Sequence, residues 1–96
     1  MRSIVAAAIG LASIATATVA SAEPPAGAAA CSGCHPSSAR VSSPVPRLAG
    51  RDRAEIVKAM QDFRSGARAG TVMDRIAKGF TDAEIQAIAA WYAEQK

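Results

Sequence analysis

From residue 52 onward the apolar positions fall into helical register. Ile56, Val57, Met60 and Phe63 recur at three- and four-residue spacing, with Lys58, Gln61, Asp62 and Arg64 on the other faces. This predicts a helix from about Asp52 to Ser65, stopped by Gly66. A second stripe, Ile85, Ile88, Ala89 and Tyr92, runs to near the C-terminus with Trp91 at its flank. Thr81 precedes it with Glu84 three residues on, the pattern of a capping box. Between the two, residues 67–80 place Gly70 and Gly79 around Thr71-Val72-Met73-Asp74-Arg75-Ile76-Ala77-Lys78, which predicts a loop and then one or two helical turns.

Upstream the pattern changes. Residues 26–34 are Ala-rich and predict a short helix, whose small residues Gly27, Ala28 and Ala29 would let the aromatic-bearing last helix approach closely. Residues 36–50 hold Pro36, Pro44 and Pro46 among several serines and predict an irregular loop. No strand-like alternation appears, so the expected class is all-α.

Residues 1–22 read as a secretory signal, cleaved after Ala22. Arg2 is the positive start, Ile4 to Val19 is apolar and alanine-rich, and Ala20-Ser21-Ala22 is a small-x-small cleavage site. A retained anchor is the alternative, but a span needs about 20 apolar residues and this stretch is weakly hydrophobic. Cleavage leaves residues 23–96 as one exported, periplasmic domain with no membrane span. A domain this short buries little apolar area by itself and commonly needs a staple, metal or cofactor.

The chemistry sits at Cys31-Ser32-Gly33-Cys34-His35. Two thiols three residues apart, followed at once by an imidazole, suit covalent haem attachment: each sulfur adds to one vinyl group and the histidine ligates iron. A disulfide across two residues would close a tiny loop and constrain little. Zinc wants four tetrahedral ligands, and a thioredoxin-like dithiol expects a βαβ context. Neither is met.

His35 is the chain's one histidine, so a second histidine ligand is excluded. Once Met1 leaves with the signal, Met60 and Met73 remain. Met60 lies on the apolar face of its helix and reads as a core filler. Met73 lies in a glycine-bounded loop well downstream of His35 and is assigned as the sixth ligand, a thioether that favours ferrous iron. The Pro46 carbonyl, in Pro46-Arg47-Leu48-Ala49-Gly50, is the expected acceptor for the other N–H of His35.

Charge alters the picture least. The whole chain carries +3; without Arg2, ten basic side chains stand against eight acidic ones. Arg40, Arg47, Arg51, Arg53, Arg64, Arg68, Arg75 and Lys78 read either as solvated surface or as a cationic rim guiding an acidic redox partner. Nucleic acid is not expected.

With these residues in view the chain resembles a class I c-type cytochrome of bacterial periplasmic kind. The motifs carrying the likeness are C-S-G-C-H, P-R-L-A-G, F-R-S-G-A-R, T-V-M-D-R-I-A-K-G and the aromatic-bearing terminal helix. The resemblance implies three to four short helices wrapped around one haem, thioethers at Cys31 and Cys34, axial His35 and Met73, and the first helix packed across the last. F-R-S-G-A-R and T-V-M-D-R-I-A-K-G further resemble the cytochrome subunit of flavocytochrome c sulfide dehydrogenases, implying a flavoprotein partner and either a monomer or one subunit of a heterodimer. Pro36 follows the haem motif where many relatives have glycine, and a single motif is present where some relatives carry two. The expected role is electron transfer without substrate chemistry. The alternatives are a free-standing carrier between respiratory complexes, or a haem enzyme or sensor with an open sixth position, for which Asp74 and Arg75 read as solvated.

Overall fold

The computed structural model describes residues 23–96; the expected signal segment lies outside them. Four helices follow in order: α1 (Ala28–Cys31), α2 (Arg53–Ser65), α3 (Met73–Ala77) and α4 (Asp82–Glu94). No strand occurs among the described residues, and the fold is all-α.

The two long helices begin and end where their chemistry dictates. The Asp52 side chain accepts from the Glu55 amide at the start of α2, and Gly66 closes it in the left-handed conformation at φ 85°. The capping box of α4 is complete: Thr81 Oγ1 accepts from the Glu84 amide, and the Glu84 carboxylate accepts from the Thr81 amide. That second bond holds the Glu84 carboxyl below its ordinary range, because the amide donates to its charged form.

The helix expected over 26–34 is shorter. Gly27 enters α1 in the left-handed region at φ 88°. Beyond Cys31 the chain tightens into turns, with the Gly33 amide bonding Ala30 O and the Cys34 amide bonding Cys31 O. Residues 32–34 therefore leave the helix axis. Met73, expected in a loop, is instead the first residue of α3.

The core joins α1, α2 and α4 through Ala28, Ile56, Val57, Ile85, Ile88, Ala89 and Tyr92, with Cys31, Leu48, Met60, Phe80 and Trp91 packed against it. The first helix meets the last where the small residues allow it. A Cβ on Gly27 would lie 2.6 Å from Phe80 Cε1 and 3.4 Å from Ile88 Cδ1. Ala28 is fully buried, whereas Ala29 faces solvent. Eight hydrophobic residues are buried among those described, and three are alanines, so the apolar centre is thin.

Candidate haem-attachment site

The Cys31–His35 segment is wound about one carbonyl. Cys31 O accepts from the Cys34 amide at 3.2 Å and the His35 amide at 2.9 Å, which holds both thiols and the imidazole on a single turn. Cys31 ends α1 half-buried beside the core, while Cys34 is exposed. Burial pushes the free Cys31 thiol up, with a hydrogen bond from its own backbone opposing.

A polar link ties this turn to α4. Tyr92 donates its hydroxyl proton to Ala28 O at 2.6 Å, so Ser32 Oγ, 3.0 Å from the same hydroxyl, must be the donor in the second bond. Burial raises the Tyr92 phenol, and the bond from Ser32 offsets part of the rise.

His35 Nδ1 lies 2.5 Å from Pro46 O. A carbonyl can only accept, so Nδ1 carries a proton, which in the neutral ring leaves Nε2 with the lone pair that a metal ligand needs. The Pro46 segment is held at both sides. Arg47 Nε donates to Ser37 O at 2.9 Å, and the Gly50 amide donates to Tyr92 O at 3.0 Å. A cleft of about 150 Å³ beside His35, lined by Ser32, Pro36, Leu48, Ala49 and Trp91 among others, has room for a few waters.

The structure thus brings Cys31, Cys34, His35 and Pro46 together. Met73 stands on a separate element, half-buried at the start of α3 and outside the core cluster that takes in Met60. Val72 and Ile76, flanking Met73, leave 51% and 42% of their surfaces uncovered. The residues fit a haem on three observations: an imidazole anchored at Nδ1 by a carbonyl, a thioether not consumed by the core, and uncovered apolar surface beside that thioether in a domain with a thin centre. They do not fit zinc, since no three His, Cys, Asp or Glu side chains converge among the described residues.

One reading of the polar residues changes. Asp74 is not simply solvated, because its Oδ1 is shut off from solvent without a hydrogen-bond donor. Four of the basic residues have partners of their own. Arg47 bonds Ser37 O, Arg53 bonds Gln86, Arg64 bonds Phe80 O and pairs with Asp82, and Arg68 stacks 4.8 Å over the Phe63 ring. These pairings join residues 5 to 33 positions apart, so composition alone carries no signal for them.

An all-α fold with this attachment turn and carbonyl-anchored imidazole is that of a class I c-type cytochrome, and sequence kinship places the chain in that class, with covalently held haem c as cofactor. The chain is similar to the cytochrome subunit of sulfide dehydrogenase from Chlorobaculum tepidum, 42% identical over 62 residues that make up 65% of this chain and 56% of that protein. It is also similar to the thiosulfate dehydrogenase electron acceptor of Stutzerimonas stutzeri, 43% identical over 65 residues (66% of this chain, 30% of the relative). Cytochrome c4 of Pseudomonas aeruginosa matches at 33% over 89 residues, 92% of this chain and 44% of the relative. The chain therefore spans about half or less of the length of these relatives. No family model matches it. No described helix is long and apolar enough to cross a membrane.

Proposed function

We propose that the mature chain, residues 23–96 after export to the periplasm, is a one-electron carrier that accepts electrons from a flavoprotein sulfide dehydrogenase. When bound, haem c supplies a ferric/ferrous couple. The chain's residues do the rest: Cys31 and Cys34 hold the macrocycle as thioethers, His35 Nε2 and the Met73 thioether are the axial ligands, and Pro46 fixes the imidazole ring. With both axial positions taken by protein, no iron site is left for a substrate, and the chemistry belongs to the partner.

The observation that carries this reading is the 2.5 Å contact between His35 Nδ1 and Pro46 O, which sets the ring's tautomer for iron. Met73 is supported by elimination, since Met60 packs against the core. The flavoprotein partner is supported by similarity to the sulfide dehydrogenase cytochrome subunit. Similarity to a thiosulfate dehydrogenase electron acceptor favours a second reading, a free-standing carrier.

The ferric protein is expected to show the weak far-red charge-transfer band of thioether ligation. Met73→Ala should abolish it and Met60→Leu should preserve it; the opposite pattern refutes the ligand assignment. Ready carbon monoxide binding by the native ferrous protein would point to an open sixth position. Co-purification of a flavin-containing chain from the native periplasm separates a fixed subunit from a free-standing carrier.

A further inference from the structure

We propose that Phe63 is the positioning residue for the sixth ligand, a ring on which the loop after α2 folds so that Met73 is held in place for iron. The inference rests on Met73 as that ligand.

α3 does little to place itself. It has 5 residues and no side chain caps its start, and a helix so short is not stable on its own. Met73 is its first residue, so the position of the sulfur depends on what the preceding loop leans on. That support is Phe63, in the last turn of α2. Unlike Phe80, Phe63 belongs neither to the core cluster nor to the residues packed against it. Its half-buried ring is covered by the loop instead.

Gly66 turns the chain in the left-handed conformation, and the Arg68 amide then donates to Asp62 O at 3.1 Å. This brings the Arg68 guanidinium 4.8 Å over the Phe63 ring, a cation–π contact. Gly70 follows so closely that a Cβ there would stand 3.0 Å from Phe63 Cε1 and 3.2 Å from Cδ1. The same Cβ would lie 3.4 Å from the Asp74 backbone nitrogen. Gly70 is thus wedged between the ring and the first turn of α3, and the ring spaces Met73 from α2.

A thioether is neutral, so no net charge draws it to iron, and its occupancy depends on how well the chain pre-positions the sulfur. An external ligand for the ferric state competes only in molecules whose sulfur has let go, and its apparent affinity scales with that fraction. Loss of the ring frees the loop and enlarges the fraction.

The test is an imidazole titration of the ferric, haem-loaded protein, followed by loss of the far-red band. Phe63→Ala should raise the apparent imidazole affinity about five- to thirtyfold, the range over which a single mutation commonly moves a two-state ratio. Phe63→Tyr keeps the ring and should restore the native affinity. Gly70→Ala drives a methyl group at the ring and should raise the affinity as well. Thr81→Ala, which removes the cap of α4, controls for lost stability and should leave it unchanged. An unchanged affinity in Phe63→Ala, or an equal rise in Phe63→Tyr or Thr81→Ala, overturns the proposal. If Phe63→Ala does not accumulate with haem, Phe63→Leu reads the same loss of the ring. Failure of the Met73 assignment looks different, because there Met73→Ala keeps both the far-red band and the native imidazole affinity.

Discussion

Gly27→Ala places a methyl group where the chain has no room for it. Two costs add. The residue sits at φ 88°, a left-handed backbone that costs an L side chain about 1–2 kcal/mol. The new Cβ would also stand 2.6 Å from Phe80 Cε1, and overpacking of this kind costs about 1–3 kcal/mol. Phe80 cannot retreat as a whole, since its amide bonds Ala77 O and its carbonyl accepts from Arg64. Relief must come from swinging the ring out of the core. The expected loss is about 2–5 kcal/mol, a large share of the roughly 5–15 kcal/mol that stabilises a domain.

Gly66→Ala isolates the backbone share, because Gly66 has nearly the same φ, 85°, and nothing within 4 Å of the added Cβ. It should cost about 1–2 kcal/mol. Urea titrations of the haem-loaded variants, followed by far-ultraviolet circular dichroism, give both values by linear extrapolation. Phe80→Leu added to Gly27→Ala should cost less than the sum of the two single changes. Equal losses at Gly27 and Gly66 would refute the close approach of α1 to Phe80, as would strict additivity in the double variant.

The remaining predictions concern the links between α4 and the rest of the chain. Tyr92→Phe leaves the buried Ala28 carbonyl without its side-chain donor and should cost about 1–3 kcal/mol in the same urea assay. Thr81→Ala removes the cap of α4 and should cost about 1 kcal/mol. Glu84→Gln should flatten the acid limb of the stability profile, whereas Thr81→Ala keeps the backbone amide that holds this carboxyl. The Glu84 carboxyl is held below its unfolded value by the Thr81 amide, so its contribution is complete above the unfolded value and is lost as pH falls through the folded one. Unfolding midpoints measured through the acid range, with and without Glu84→Gln, check that dependence.

Local chemistry made much of this fold legible. Asp52, Gly66, Thr81 and Glu84 each act within a few residues of themselves, and the ends of α2 and α4 fall where those side chains put them. The bond from His35 to the Pro46 carbonyl spans eleven positions, yet it too could be anticipated, because an imidazole in a haem motif needs an acceptor and the proline-rich loop offers one. What stayed hidden was set by tertiary contact. The Ala-rich start reads as a longer helix because composition cannot show that Gly33 and the two cysteines wind into 3₁₀-type turns. Phe80 carries no periodic signal, although it is the side chain that Gly27 makes room for. Asp74 looks like any surface aspartate until α3 is folded and one of its oxygens is enclosed.

The bond from the Gly50 amide to Tyr92 O gives the ligand clamp an unexpected dependence. The carbonyl that orients His35 belongs to a segment moored at its far side to the last turns of the terminal helix. A nascent or clipped chain lacking those turns could still present the two thiols in sequence, but its imidazole would swivel. The turn that presents the thiols is closed by its own backbone bonds, whereas the carbonyl that orients the imidazole draws part of its support from the terminal helix.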